Sequence, residues 1–188
     1  MKKIVVILGL LFTCLMGYSQ HLRFKGIPLE GSLTNFVNQL KAKGFTYVGT
    51  EDGIALLQGE FAGYKNCIVG VATFSGTQNV CKVVNLFPDK ENWSGVTSDY
   101  YGLKDLLTEK YGKPISIEEF SDRTPPDDFL RFHALLRGEC HYTSTFTTEG
   151  GKIKLTMKKS DYNSAQVIME YFDDTNSSKV RQQIMDDL

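Results

Sequence analysis

Histidine occurs only three times in these 188 residues, cysteine four times and tryptophan once, and each scarcity removes a class of protein. With no C-x-x-C and no H-x-x-x-H spacing, the chain lacks the ligand pattern of a structural zinc site. No glycine-rich phosphate loop and no catalytic signature is present, so no cofactor is implied. Lysine and arginine number 21 against 22 aspartates and glutamates. Such a balance gives no concentrated basic face for nucleic acid. A basic amphipathic helix for a membrane surface is missing as well. The one long apolar run, Ile4 to Met16, falls short of the roughly 20 residues a membrane-spanning helix needs.

That run has the layout of a cleavable export signal. Lys2 and Lys3 precede it, and Gly17-Tyr18-Ser19 places small residues before an expected cut at Ser19-Gln20. Cys14 lies inside the apolar run behind bulky Phe12, which argues for simple cleavage over lipidation. Removing residues 1–19 takes away two lysines and no acids. The mature chain, 20–188, then carries 19 basic and 22 acidic residues, about −3 in net charge. It is expected to be exported, with no transmembrane segment, to the periplasm or the cell surface. Its cysteines are Cys67, Cys81 and Cys140. A hairpin turning near Ser75–Gln78 sets Cys67 near Leu86 and so argues against a Cys67–Cys81 bridge. A bridge to Cys140 stays open, and small buried thiols are the favoured reading.

Past the signal, periodicity predicts a helix capped by Ser32, with Leu33, Phe36, Val37 and Leu40 on one stripe and Gly44 closing it. Short strands are expected at His21–Phe24, Phe45–Gly49, Ile54–Phe61, Cys67–Phe74 and Val80–Phe87. A second helix is expected from Thr97 or Ser98 to Tyr111, then a strand at Ile115–Phe120. The stretch Ser121–Asp128, with Pro125-Pro126, reads as loop. Phe129–Tyr142 fits helix or strand equally. Ile153, Leu155 and Met157 alternate with Lys152, Lys154 and Lys158, whose basic face resembles edge protection. Val167–Phe172 makes a further strand, and Asn176 or Ser177 caps a last helix with stripe Val180, Ile184 and Leu188.

The pattern predicts one α+β domain: antiparallel sheet with helices packed on one face, and a C-terminal helix. A tandem αββββ duplication, with half-repeats 32–88 and 97–173, is one organisation the order allows. Two likenesses suggest it: Ala55–Glu60 with Ala134–Glu139, and Lys43-Gly44-Phe45 with Tyr111-Gly112-Lys113. Aligning Val83–Phe87 with Ile168–Phe172 demands a different offset, which an insertion around Pro125-Pro126 would supply.

The stretches Gly17–Gln20, Phe24–Gly31, Gly59–Tyr64 and Lys110–Pro114 together resemble uncharacterised exported proteins of gut Bacteroidetes. The resemblance brings no activity with it. It implies an extracytoplasmic bacterial protein. In architecture the chain is similar to tandem helix-plus-sheet modules of the β-lactamase-inhibitor-protein type, a likeness of fold that does not fix function.

Candidates for chemistry are few. In a strand, Cys140 and His141 would point to opposite faces. The acidic pairs Glu51-Asp52, Glu118-Glu119, Asp127-Asp128, Asp173-Asp174 and Asp186-Asp187 sit where acids are ordinarily solvated, and Asp161-Tyr162-Asn163-Ser164 only partly matches a calcium loop. Trp93, Tyr100 and Tyr101 stand out more, because Trp and Tyr anchor interfaces. They are the candidate interaction surface, against the alternative that they seal the junction between the halves. The expected function is a non-enzymatic binding module for a protein or envelope component. A hydrolase with dispersed carboxylates and a small-ligand or lipid carrier are the alternatives.

Overall fold

Ser32 caps the first helix: its backbone is extended and its side chain accepts a hydrogen bond from Asn35 N. This geometry comes from a computed structural model, which describes residues 21–74, 77–176, 178 and 185. The helix, α1 (Leu33–Ala42), buries Phe36, Val37 and Leu40 and is followed by Gly44 in the left-handed region, where a residue without Cβ is at no disadvantage. Ahead of it, β1 (Arg23–Phe24) and β2 (Ile27–Pro28) form a two-stranded ribbon. Behind it come β3 (Thr46–Glu51), β4 (Ile54–Phe61), β5 (Tyr64–Thr73) and β6 (Val80–Leu86). The turns Asp52-Gly53 and Ala62-Gly63 hold both residues at positive φ, the two-residue geometry that matches strand twist.

The second half repeats this order with one addition: α2 (Trp93–Tyr111), β7 (Ile115–Phe120), α3 (Asp128–Leu136), β8 (Cys140–Thr148), β9 (Gly151–Asp161) and β10 (Ser164–Asp173). Two antiparallel meanders meet through their last strands, giving one eight-stranded sheet ordered β3-β4-β5-β6-β10-β9-β8-β7. At the seam Val83 pairs with Tyr171 and Asn85 with Met169. β3 and β4 are joined by 2 residues, β7 and β8 by 19, and α3 fills the difference. The disagreeing offsets follow directly, since the helix-end likeness lies before this insertion and the Val83–Phe87 likeness after it. The Ala55–Glu60 likeness is not equivalence: it lies in β4, whereas Ala134–Glu139 spans the end of α3.

Two other expectations are corrected, and one alternative left open is decided. α2 starts at Trp93, four residues early, because the Asn92 side chain accepts from Gly95 N at 2.7 Å and opens the helix there. The ambiguous stretch divides into α3, capped by Asp127 accepting from Leu130 N at 2.9 Å, and β8. β9 lies between β10 and β8, and Lys152 and Lys154 are paired on both sides, so those two do not guard an edge. The signal segment and the stripe Val180, Ile184 and Leu188 lie outside the described residues; a helical turn does begin at 174.

Helices α1, α2 and α3 pack on one face of the sheet. On β10, Ala165, Val167, Met169, Tyr171 and Asp173 point to that inner face and are buried, while the alternate residues are half-buried. Phe24, carried by the ribbon, stacks on Phe61 and meets the edge of Tyr171, closing the inner face. Burial of each such large side chain contributes on the order of 1.5–3 kcal/mol. Gly151 is fixed by contact: a Cβ there would sit 1.9 Å from Phe172 O. Among the described residues no helix is long and apolar enough to cross a membrane.

Candidate functional site

The aromatic residues singled out from the sequence gather where α2 crosses β7 and β8. Trp93, in the first turn of α2, packs on Phe120 and meets the edge of Tyr142, and Tyr142 in turn meets Tyr100. Trp93 is 7% exposed and Tyr100 is fully buried, whereas Tyr101 is 40% exposed. Of the three, only Tyr101 presents its ring to solvent, and the cluster belongs to the inner core of the second half.

A hydroxyl and carboxylate network lies beside it. Tyr100 Oη is 2.7 Å from Ser144 Oγ, which is 2.8 Å from Ser116 Oγ. Glu118 accepts from Tyr101 Oη at 3.1 Å, from Tyr100 Oη at 3.3 Å and from Lys104 Nζ. Burial, together with the Glu118 charge, pushes the Tyr101 phenol up to about 12. Burial raises Tyr100 as well. Both phenols therefore stay protonated and act as donors. Chemically the network is a clamp that ties edge strand β7 to α2.

Cys140 and His141 occupy opposite faces of β8, Cys140 buried and His141 exposed. Burial raises the thiol to about 11, so it is not a ready nucleophile at neutral pH. Cys67, Cys81 and Cys140 are all free thiols. The acidic pairs are dispersed: Glu118 and Glu119 alternate faces, Asp127 caps α3 and Asp128 pairs with Arg131 at 3.2 Å. Asp186-Asp187 lies outside the described residues. Among the described residues no group of three His, Cys, Asp or Glu side chains could hold a metal ion. Asp173 is the acid whose burial sequence reasoning missed. Its place in the alternation Val167, Met169, Tyr171, Asp173 was the available signal.

Between α2 and α3 runs a cleft of about 610 Å³, floored by Trp93, Phe132 and Leu136 and rimmed by Phe129, which is 70% exposed. The insertion that breaks the internal repeat is what builds it.

The outer face of the sheet carries a different surface. Register places Leu56 on β4, Ile68 on β5, Val84 and Leu86 on β6 and Ile168 on β10 side by side, with Gly70 between Leu56 and Val84. These five apolar side chains are half-buried by one another, and no described helix covers them. Lys82 and Glu170 pair at 2.6 Å along one side of this belt. Sequence signals for it existed in the unbroken apolar runs Cys67–Val69 and Val83-Val84, which read as strands dry on both faces.

Compared with known proteins, the chain matches no family model, no curated protein and no solved structure.

Proposed function

We propose that this chain is an exported binding module that docks a partner protein on the outer face of its sheet. The observation that carries the reading is the apolar belt Leu56–Ile68–Val84–Leu86–Ile168, spread across four adjacent strands with no described helix over it. Contiguous apolar surface left without a covering element marks interaction sites. A continuous, hydrogen-bonded sheet also holds such a surface in shape before binding, which lowers the ordering cost of association. A protein surface fits it better than a small molecule, because an open sheet face has no walls to enclose one. The signal-like residues 1–19 and the resemblance to exported Bacteroidetes proteins support an extracytoplasmic setting, in the periplasm or at the cell surface.

The test is site-specific photo-crosslinking in the native host, with the probe at Val84 or Ile168, and at Glu109 on α2 as the control position. A discrete protein adduct from the sheet positions alone, competed away by purified unlabelled protein, is the expected result. Adducts only to lipid would replace the protein partner with an envelope lipid. No adduct from correctly exported protein would overturn the reading.

A further inference from the structure

The β8–β9 ladder ends at Thr143 opposite Thr156, although β8 begins at Cys140 and β9 continues to Asp161. Over the same residues β8 keeps its pairing with β7, His141 lying opposite Glu119. β9 likewise keeps its pairing with β10, Lys158 lying opposite Gln166 and Lys159 opposite Ala165. Each strand stays in the sheet while the two part from one another. The opening is a cleft of about 540 Å³, bounded at one end by Arg137 and Gly138 at the close of α3.

Its lining is basic. Arg137, His141, Lys154, Lys158 and Lys159 border it, and no aspartate or glutamate does. Arg137 is engaged by Glu139 through two 2.7 Å hydrogen bonds. Lys154, Lys158 and Lys159 make no ion pair among the described residues. Glu170, the carboxylate opposite Lys154, is held by Lys82. The hydroxyls of Thr143 and Thr156, 3.5 Å apart, close the ladder end of the cleft. Like charges gathered without a counter-charge repel one another, and here they gather in a chain of net charge −1. Edge protection does not account for Lys154, which is paired on both sides, with Thr145 on β8 and Glu170 on β10.

We propose that this cleft binds a phosphate group, with Lys154 and Lys158, which share the outer face of β9, supplying the charge and Thr143 and Thr156 the neutral donors. Lysine is suited to this as a strongly hydrated point charge that meets phosphate from several directions. The group is carried either by a soluble phosphorylated compound or by a phospholipid headgroup. This site is independent of the apolar belt, which lies on other strands, so either reading can fail without the other.

The exported protein is titrated at low ionic strength with inorganic phosphate, and separately with phosphatidylcholine vesicles with and without phosphatidylglycerol. Saturable binding of inorganic phosphate that moves the ring signals of His141 but not those of His133 is expected, and identifies a soluble ligand. Binding confined to the anionic vesicles identifies the headgroup. In either arm Lys154→Gln/Lys158→Gln should weaken binding by about tenfold or more. Lys154→Arg/Lys158→Arg, and Lys41→Gln/Lys43→Gln on and just after α1, should retain it. Far-UV circular dichroism checks the fold of each variant. Absence of binding to both probes, or equal loss in the α1 variant, overturns the proposal.

Discussion

Nδ1 of His21 lies 3.1 Å from each carboxylate oxygen of Asp173, which follows it by 152 positions. Asp173 is fully buried and also accepts from Leu22 N and Asn176 N, both at 2.9 Å. One carboxylate thus joins the segment just before β1, strand β10 and the helical turn beyond it.

Replacing Asp173 with alanine should therefore cost on the order of 3 kcal/mol or more, since it leaves two buried backbone donors without their acceptor. His21→Ala, at a partly exposed position, should cost less. Urea unfolding of both variants measures the two values, and equal small losses would show that the carboxylate does not tie the termini together.

Trp93→Ala should cost on the order of 3–5 kcal/mol, as expected for a large aromatic removed from a packed cluster. Tyr101→Ala should cost far less, because its ring is partly solvated and it contributes one hydrogen bond to Glu118. If Trp93→Ala instead leaves stability unchanged and removes a ligand, the cleft between α2 and α3 is a binding site in its own right.

Alkaline pH should destabilise the fold. The Cys140 thiol ionises near 9.0 when unfolded and near 11 in the buried native site. Between those values the unfolded chain has lost a proton that the native state keeps, so stability falls as pH rises. The loss from this group approaches about 2 kcal/mol by pH 11. Burial raises Cys67 in the same direction, offset in part by the neighbouring Asn85 amide, and burial raises Cys81 too. Urea unfolding from pH 8 to 11 should show a shallower decline for Cys140→Ala than for the parent protein. Parallel curves would remove the thiol from the explanation.

Asn85 is fully buried at the β6–β10 seam beside the Cys67 thiol, and among the described residues neither Nδ2 nor Oδ1 has a partner at full hydrogen-bond geometry. Leucine is close to it in size and has no polar atom to desolvate. Asn85→Leu should raise stability by about 1 kcal/mol, read as a higher thermal midpoint. A loss instead would show that the amide is satisfied by internal water.

Much of this was legible along the chain. The stripe Phe36, Val37 and Leu40 identified α1, because burial of a helix face repeats every three or four residues. The turn at Asp52-Gly53 and the apolar runs on either side marked the hairpins. The start of α2 was misread although Asn caps as well as Ser, because Gly95 in the first turn lowers helix propensity and the evident apolar stripe begins only at Leu103. The cluster Trp93–Tyr100–Tyr101 was visible as residues, yet its division into two buried rings and one exposed ring was not. That division depends on which side of α2 faces β8.

Read alone, the chain was enough for the α+β class and the antiparallel hairpins, and it allowed a repeat of one helix and four strands with an insertion near Pro125-Pro126. All of these rest on local periodicity and turn chemistry. Only the tertiary structure decided that the meanders join through β6 and β10, that β9 is interior, and that Asp173 is buried against His21. It also decided that Lys154 and Lys158 face an opening between strands, beside an uncovered apolar belt. Those facts depend on pairings between distant residues, which leave no periodic trace in the chain.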